Sequence, residues 1–456
     1  MAWRKNAPAG LETCPFRRSV IAVLAASPAH SQLLLYGTLA LPVSMAGLPL
    51  YLHAPDFYAT VLLQPLALIG TMLLALRIVD AVQDPLIGAF SDKYSHRRLE
   101  IILCGMLLLM VGFVGLFNPG LAPFSERLTL AWFGVCVLVC TTGYSIVLIN
   151  YQALGGLWNV PSSERTKVTG VREGFGLLGV LLASLLPSIL QLSFSPIHSF
   201  SIFSLLLIPM LFLGVWFFLR WYKSRLLGFE AERSQYTKPS AGLIGLANGR
   251  WGRLFYGIFF FSNLASAIPA VLVLFYVRDR LAAEQYTGLF LVIYFLSGAV
   301  GLPVWQRLSV HTGKARAWAI SMMLAIATFL WAFTLAEGDI VPFAIICCLS
   351  GVALGADLAI PPAMVADRID SIGDHHNAAQ YFAANSLCAK SALALATGLA
   401  LPTLGFLGYQ PGQPMAEGVG LSLAMVYALF PCFIKAAAAI WLFFAFSTFE
   451  GRGSAP

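Results

Sequence analysis

Long apolar runs, separated by short polar segments, follow one another along most of the chain. Each is about 20 residues or longer, the length of helix that crosses the hydrocarbon core of a bilayer. The runs fall at 32–54, 59–91, 99–118, 128–155, 168–192, 200–222, 254–278, 284–308, 316–336, 340–369, 378–408 and 419–447. The pattern therefore predicts an all-α polytopic membrane protein with twelve transmembrane helices.

The longest polar stretch, 223–253, separates the sixth run from the seventh. It predicts a cytoplasmic linker between two six-helix bundles, at 31–222 and 254–448. A cytoplasmic N-terminal arm, without a cleaved signal peptide, is expected at 1–30, and a cytoplasmic tail at 449–456. No predicted loop is long enough to hold a separate catalytic domain.

Basic residues are distributed unevenly between the two predicted sides of the membrane. With the N-terminus inside, the outer loops contain only Arg127, Arg278 and Arg280, and the other loop bases lie inside. Because cytoplasmic loops carry the excess of lysine and arginine, both termini are predicted to be cytoplasmic, in an inner or plasma membrane. Topology therefore accounts for the net charge of +7, and no nucleic-acid partner is expected.

The composition supports a membrane protein. Hydrophobic residues make up 59% of the chain and charged residues 11%, against about 25% charged in a typical soluble domain. Such a chain has too few charges to cover a soluble surface, so soluble enzymes, disordered proteins and disulfide-rich secreted domains are excluded.

Some charges are nevertheless predicted deep inside spans, where a charge at mid-bilayer costs at least about 2.5–3.5 kcal/mol. These residues are Arg77, Asp80, Asp84, Asp357, Lys390 and Lys435. Asp80 and Asp84 are four residues apart, so they share one helical face and repel unless a cation or a proton lies between them. The pair is predicted to be the coupling site for Na⁺ or H⁺. The alternative is a structural Arg77–Asp80 pair, with Asp84 at a helix kink.

The other buried charges are interpreted individually. Lys390 is far from either end of its span and is expected to face Asp80 and Asp84 from the other bundle. Asp357 is flanked by two glycines and two prolines, so it either lines the substrate cavity or caps a broken helix. Lys435 is interpreted as structural, or as reaching towards the membrane interface.

Further polar residues interrupt the fourth and fifth apolar runs. Those of the fourth run are Tyr144, Ser145, Asn150, Tyr151 and Gln152. They are predicted to line the cavity, with hydrogen bonds between helices as the alternative. Arg172 of the fifth run is expected to reach the cavity floor, or to pair with Glu173 or a lipid phosphate.

A second group of charges marks the predicted cytoplasmic ends of the spans. Gly88 is followed by Asp92 and then by Lys93, Arg97 and Arg98. We interpret this segment as a conformational latch, in which Gly88 permits close helix approach and Asp92 pairs with bases or caps a neighbouring helix. Asp367 and Asp370 are predicted to form ion pairs at the same gate.

These motifs together resemble the glycoside–pentoside–hexuronide:cation symporter family of the major facilitator superfamily, whose type is melibiose permease. The matching elements are Arg77-x-x-Asp80-x-x-x-Asp84-Pro85-x-x-Gly88, Glu164-Arg165 with Arg172, Ala366-Asp367-x-x-Asp370, Lys390 and Gly408-Tyr409-x-Pro411. The resemblance implies that Asp80 and Asp84 bind sodium, lithium or a proton, with Ser145 as a hydroxyl ligand. Gln83 stands where the family has an asparagine.

The sugar-binding positions depart from that family. Its two sugar-binding aspartates correspond to Ser44 and Leu148, and its stacking aromatic corresponds to Gln152. The resemblance therefore implies the mechanism, cation-coupled symport of a small organic solute by alternating access, more strongly than it implies a sugar. The alternatives are a lysolipid or lipid symporter or flippase, and a non-transporting sensor or scaffold on the same fold.

Enzymatic activity is not expected from the sequence. It contains no metal-ligand spacing of histidine and cysteine, no nucleophile elbow and no phosphate-binding loop. No cofactor or bound metal is predicted beyond Na⁺ or H⁺ as the coupling ion. The expected partners are a small-molecule or lipid substrate and the bilayer, and a monomer is expected.

Overall fold

The computed structural model describes residues 28–51, 53–121, 126–235, 249–409 and 419–449. Within these ranges the backbone is helical apart from short turns, and no strand is present. Most of the predicted N-terminal arm and nearly all of the C-terminal tail lie outside the described residues. The predicted all-α class is confirmed.

The helices follow the predicted apolar runs and are numbered here as spans. Spans 1 to 6 consist of His30–Gly37 with Ala40–Tyr51, Leu66–Lys93, Arg98–Phe117, Glu126–Gly156, Ser162–Gln191 and Pro196–Gln235. Spans 7 to 12 consist of Arg250–Phe275, Thr287–Thr312, Lys314–Phe333, Ile340–Ile372, Ala378–Phe406 and Val419–Ala424 with Phe430–Phe449. In the described part of the chain, ten helices, spans 3 to 12, are long and apolar enough to cross a membrane.

The predicted linker differs from the structure at both of its ends. Span 6 continues as a helix to Gln235, and span 7 begins at Arg250. The residues after Lys223 include arginine, leucine, glutamate and alanine, which are strong helix formers, so a rise in charge does not by itself end a helix. Residues 236–248 lie outside the described ranges.

Spans 1 and 7 are followed by the same irregular backbone, which is evidence of an internal repeat. A single π-helical turn occurs at Phe57–Val61 after span 1 and at Tyr276–Arg280 after span 7. Each turn is followed by a residue with positive φ, Leu63 at 54° and Ala282 at 50°. Such backbone is uncommon for residues other than glycine, so its repetition indicates that the two halves are structural repeats of each other.

A tyrosine anchors each of these turns to another span of its own half. The Tyr58 hydroxyl donates to the carbonyl of Leu116 in span 3, at 3.0 Å. The Tyr276 hydroxyl donates to the carbonyl of Ala332 in span 9, at 2.5 Å. Span 9 corresponds to span 3 in the second half, so the two turns are anchored to equivalent spans, although Tyr58 is the second residue of its turn and Tyr276 the first.

The halves meet where span 2 packs on span 11 and where span 5 packs on spans 8 and 10. We call the end of the helices that carries 93–98, 162–165 and 367–377 the basic end. Near it, a Cβ on Gly88 of span 2 would lie 2.7 Å from Ala383 Cβ of span 11, so only glycine permits this approach. The two halves are therefore in tight contact at the basic end.

Candidate functional site

The ammonium of Lys390, on span 11, lies between the two carboxylates of span 2. Its Nζ is 2.8 Å from Asp80 Oδ1 and 2.8 Å from Asp84 Oδ1. It also donates to Ser145 Oγ of span 4, at 2.8 Å. We call these four residues the Lys390 cluster. It joins three spans from both halves of the chain in one ionic contact.

The cluster is buried and carries more negative than positive charge. Asp84 is 0% exposed and Asp80 is 4% exposed. The second carboxylate oxygen of Asp84, Oδ2, is also buried and has no hydrogen bond of good geometry from a described residue, although Ser386 of span 11 lies close enough to interact with the carboxylate. By these two ion pairs alone, two carboxylates share one ammonium, which leaves a formal charge of −1 among the four residues, and such an excess is unfavourable away from water. The geometry therefore suits the binding of one further positive charge.

Gln83 orients one of the carboxylates. Its Nε2 donates to Asp80 Oδ1 at 2.9 Å, and its Oε1 accepts from Thr142 Oγ1 at 2.9 Å. The amide oxygen of Gln83 is thus directed at span 4 rather than at the cluster. Thr142 was not predicted from the sequence, although its place three residues before Ser145 on the same helical face was an available signal.

The oxygen atoms around Lys390 Nζ suit a hard cation as well as an ammonium. Besides the carboxylate and hydroxyl oxygens, the main-chain oxygen of Asp80 lies 3.3 Å from Nζ. Hard cations take carboxylate, hydroxyl and carbonyl oxygens as ligands. A sodium ion would bind among Asp80, Asp84 and Ser145 in competition with the ammonium, whereas a proton would neutralise a carboxylate. In the part of the chain described, no group of three His, Cys, Asp or Glu suits a transition metal.

A second buried charge in the N-terminal half, Arg172 of span 5, pairs with its neighbour. Its Nε and Nη2 lie 3.0 Å and 2.5 Å from Glu173 Oε1. The Glu173 side chain is 21% exposed, whereas Arg172 is buried. The Cβ position of Gly176 lies 3.0 Å from Ser44 Oγ and 3.9 Å from Glu173 Oε2. Ser44 of span 1 and Glu173 therefore lie beside the same stretch of span 5.

For two of the polar residues of span 4, the structure shows contacts between helices. Asn150 donates to Ser91 Oγ of span 2 at 2.9 Å. The hydroxyls of Tyr151 and Tyr36 each donate to the main-chain oxygen of the other residue. Asn150 is 0% and Tyr151 1% exposed, so the cavity-lining prediction is wrong for these two residues.

Three other residues predicted in the cavity, Arg77, Tyr144 and Gln152, are half-buried. The Tyr144 ring lies 3.3 Å from the position that a Cβ on Gly47 would take, so it contacts span 1. Arg77 lies about one turn before Asp80 on the same helix. The base that bridges both acids of span 2 comes from span 11.

Asp357, which the sequence predicts either to line the substrate cavity or to cap a broken helix, lies outside the Lys390 cluster and pairs with Lys435. Its Oδ2 accepts from Lys435 Nζ of span 12 at 2.6 Å, and its Oδ1 accepts from Trp318 Nε1 of span 9 at 2.8 Å. Lys435 is 4% exposed, so it does not reach towards the interface. The carboxylate faces the interior of the C-terminal half, where the side chains of Trp318 on span 9 and Lys435 on span 12 reach it.

At the basic end, Asp92 of span 2 caps the start of span 11. Its Oδ1 accepts from the backbone N–H of Ala379 at 3.0 Å, and its Oδ2 accepts from that of Gln380 at 2.9 Å. Arg98 Nη2 donates to the same carboxylate at 2.6 Å. A carboxylate at a helix N-terminus satisfies free N–H groups and interacts favourably with the helix dipole. The contact joins the two halves.

The other two bases of the predicted latch lie away from this contact. Lys93 Nζ is 5.3 Å from the centre of the Tyr94 ring. Arg97 pairs with Glu100 at 2.5 Å, and both side chains are about 60% exposed, at 60% and 61%. Exposed ion pairs contribute little to stability, so the buried Asp92–Arg98 pair is the main ionic contact of this segment.

A second crossing at the basic end joins span 5 to span 10. Arg165 Nε lies 3.2 Å from Asp367 Oδ1, and its Nη2 lies 3.1 Å from Asp370 Oδ2. Ser162 Oγ donates to Asp367 at 3.0 Å, and Lys314 Nζ also donates to that carboxylate. Both predicted gate aspartates therefore lie in contacts between the halves.

The chain matches known transport proteins over most of its length. A family model described as MFS/sugar transport protein matches residues 33–447. The uncharacterized symporter YjmB of Bacillus subtilis is 24% identical over 388 residues, which cover 82% of this chain and 83% of the relative. Sodium-dependent lysophosphatidylcholine symporter 1 of Xenopus tropicalis is 23% identical over 430 residues, which cover 83% of this chain and 78% of the relative.

Solved structures with the same fold are also transporters. A bacterial homologue of the iron transporter ferroportin, in an outward-facing state with soaked iron, superimposes with a TM-score of 0.67 and 15% identity. That match covers 93% of this chain and 100% of the other. The fucose:proton symporter FucP of E. coli superimposes with a TM-score of 0.61 and 15% identity. That match covers 91% of this chain and 97% of the other. At these identities the likeness shows the fold alone.

The family match runs from the first described span to the last, and the Lys390 cluster lies where the two halves meet. The relatives that match over most of the chain are named as symporters. The chain belongs to the MFS/sugar transport family of the major facilitator superfamily and is an integral membrane protein, a secondary symporter.

Proposed function

We propose that symport is driven by a monovalent cation, Na⁺ or H⁺, that binds at Asp80 and Asp84, with Lys390 as a counter-ion that shifts aside for the cation but stays beside the two acids. The observation that carries this proposal is the buried Oδ2 of Asp84, which has no hydrogen bond of good geometry from the described residues although the cluster holds two carboxylates and one ammonium. One bound cation or proton balances the charge of the cluster.

Charge balance explains how ion and substrate are coupled. Closure of the two halves around a substrate removes water from the cavity, which is costly while the cluster carries an excess charge. A bound cation lowers this cost because the loaded cluster is neutral. Substrate and cation therefore favour the same occluded state, which is the thermodynamic requirement for coupled fluxes.

The contacts at the basic end are proposed to form the gate of the transport cycle. Asp92 binds the start of span 11, and Arg165 binds Asp367 and Asp370 of span 10, so both contacts join the halves. Access from this side requires both contacts to open. We place the basic end in the cytoplasm, with both termini inside and the protein in a cytoplasmic membrane, because lysine and arginine concentrate there.

The substrate site is proposed to lie beside Arg172 and Glu173. A guanidinium, a partly exposed carboxylate and the Ser44 hydroxyl are brought together next to Tyr144, which suits a small organic solute with several polar groups. A lysolipid is the second candidate, because a relative that matches 83% of the chain is named as a lysophosphatidylcholine symporter.

Purified protein tests the ion site before the substrate is known. We expect sodium chloride, compared with choline chloride at equal ionic strength, to raise the unfolding temperature of the wild type. Asp84→Asn should abolish the increase, because the variant lacks the excess charge. Glu337→Gln, which changes an exposed acid of a loop, is the matched control and should respond like the wild type.

The same experiment separates the alternatives. A sodium response that persists unchanged in Asp84→Asn would show that the ion binds elsewhere. A response to pH that depends on Asp84, without a response to sodium, would identify the proton as the coupling ion. Screening sugars, lysolipids and organic acids in both salts, followed by uptake into proteoliposomes, then identifies the substrate. A protein without transporting activity would show no accumulation of any stabilising compound.

A further inference from the structure

Lys435 lies in a group of oxygen atoms inside the C-terminal half, separate from the Lys390 cluster. Its Nζ donates to Asp357 Oδ2 at 2.6 Å, Ser262 Oγ at 2.9 Å and Ser266 Oγ at 3.0 Å. The main-chain oxygen of Ser262 is 3.3 Å away. An ammonium has three donors, so these contacts use its full capacity. We call Asp357, Ser262 and Ser266 the Lys435 cradle.

The cradle is contacted by two further spans and lies about halfway along span 7. Trp318 Nε1 of span 9 donates to the other Asp357 oxygen at 2.8 Å, and Tyr294 of span 8 lies close enough to interact electrostatically with Asp357. Ser262 is about 18 Å along span 7 from its start at Arg250, at about 1.5 Å per residue, in a hydrocarbon core of about 30 Å.

The Lys435 cradle and the Lys390 cluster present the same kinds of ligand. In each, one ammonium is surrounded by carboxylate oxygen, serine hydroxyl and a main-chain carbonyl oxygen. These are the oxygen types that hard cations take as ligands in proteins. The chemistry of the cradle is therefore that of a cation site, and the ammonium occupies its centre.

The two groups differ in charge balance and in connectivity. The Lys390 cluster carries a formal excess of one negative charge, whereas Asp357 and Lys435 cancel. The Lys390 cluster takes residues from both halves. The Lys435 cradle takes its hydrogen-bonding groups from spans 7, 9, 10 and 12, which all belong to the C-terminal half. Rocking of the halves would separate the first group and leave the second intact.

We propose that the Lys435 cradle is a second monovalent-cation site, occupied by the chain's own ammonium in place of a free ion. A tethered ammonium cannot leave with the substrate, so the site stays filled and neutral throughout the transport cycle. Ion dependence is thereby confined to the N-terminal acids. This proposal does not depend on the role of Asp80 and Asp84, because the two groups share no residue.

Removal of the Lys435 side chain tests the proposal. Lys435→Ala leaves the oxygen atoms in place, opens space at their centre and leaves Asp357 uncompensated. Equilibrium binding of radiolabelled sodium to the purified protein is measured in an Asp84→Asn background, with and without Lys435→Ala. We expect one additional sodium ion per protein when Lys435 is removed.

Two control variants define what binds the ion. Lys435→Met fills the space with an unbranched apolar side chain of similar length, so the additional sodium should be absent. Asp357→Asn combined with Lys435→Ala removes the charge that the ion compensates, and the additional sodium should again be absent. Sodium that still binds to Asp84→Asn alone bears on the first site. Only the difference in bound sodium between Asp84→Asn with and without Lys435→Ala reports on the cradle.

Folding is monitored in the same samples by size-exclusion chromatography and circular dichroism. A Lys435→Ala variant that folds in sodium chloride but not in choline chloride supports the proposal, since the ion then replaces the ammonium. A folded Lys435→Ala variant without additional sodium binding would overturn it. So would a Lys435→Ala variant that aggregates in both salts while Lys435→Met folds, because the open cradle then fails to accept a free ion.

Discussion

Lys390 and Asp84 belong to opposite halves of the chain, and their charged atoms lie 2.8 Å apart. The two side chains differ in access, because Asp84 is 0% exposed whereas the Lys390 side chain retains 20%. The carboxylate is fully buried on span 2, whereas the ammonium ends a flexible four-carbon side chain that keeps some access to solvent. Under the proposed function, the cation is therefore admitted by a shift of Lys390, whose ammonium stays beside the two acids.

Lys390→Ala should raise the affinity for sodium by about tenfold, equivalent to ~1.4 kcal/mol, because the ammonium no longer competes for the two carboxylates. Without sodium the variant should unfold at a lower temperature than the wild type, since two buried carboxylates lose their compensating charge. Titration of the unfolding temperature with sodium chloride measures both effects. Lys93→Ala, which removes an exposed lysine, is the control, and an unchanged sodium affinity in Lys390→Ala would rule out competition.

Thr142→Val should weaken sodium binding by about fivefold, close to the ~1 kcal/mol of a lost hydrogen bond. The threonine hydroxyl holds Gln83 Oε1 at 2.9 Å, and Gln83 in turn orients Asp80. Thr141→Val is a matched control, because that hydroxyl donates to the Leu138 carbonyl of its own helix. Isothermal titration with sodium compares the two, and equal affinities would mean that Gln83 does not position the acid.

Gly88→Val should force spans 2 and 11 apart at the basic end, because even a Cβ would lie 2.7 Å from Ala383 Cβ. Gly70→Val, on the same helix, is the control, since nothing lies within 4 Å of its Cβ position. Spin labels at positions 96 and 376, in a variant without native cysteine, report the separation of the halves. The distances should lengthen in Gly88→Val alone, and an unchanged distribution would contradict the close packing.

Asp367→Asn should lower stability more than Asp370→Asn. Asp367 binds Arg165, Lys314 and Ser162 and its side chain is 28% exposed, whereas Asp370 is 58% exposed. We expect the free energy of unfolding to fall by about 1–3 kcal/mol in Asp367→Asn and by at most about 1 kcal/mol in Asp370→Asn, whose acid is more exposed. Chemical denaturation in detergent at low and high salt measures the difference. Equal effects would indicate that the crossing relies on Arg165 alone.

The positions of the helices could be predicted from the sequence because a membrane span is a local pattern of apolar residues. Each of the twelve runs coincides with a described helix. The end of span 6 at Gln235 was not predicted, since a helix that leaves the membrane loses its apolar signal without losing its helical conformation. The π-helical turns also have no signature in hydropathy, because they depend on contacts such as that of Tyr58 with span 3.

The candidate site was only partly predictable for a similar reason. The spacing of Asp80 and Asp84 places them on one face, and their proximity is observed, while their role as a cation site stays a prediction. The pairing of Asp357 with Lys435 was missed. It depends on which side of span 10 faces span 12, and the flanking prolines and glycines of Asp357 suggested a cavity instead. Long-range pairing of charges requires the packing of the helices, which the sequence pattern does not contain.

The charge balance of the Lys390 cluster also has an electrical consequence. Under the proposed function, the empty cluster carries a charge of −1 and the loaded cluster carries none, so with a neutral substrate only the return of the empty carrier moves charge across the membrane. A membrane potential acts on a moving charge with about 2.3 kcal/mol per 100 mV. With the inside negative, the potential drives the empty site outward. The resting voltage of the cell would thus set how quickly an unloaded carrier becomes available for the next ion.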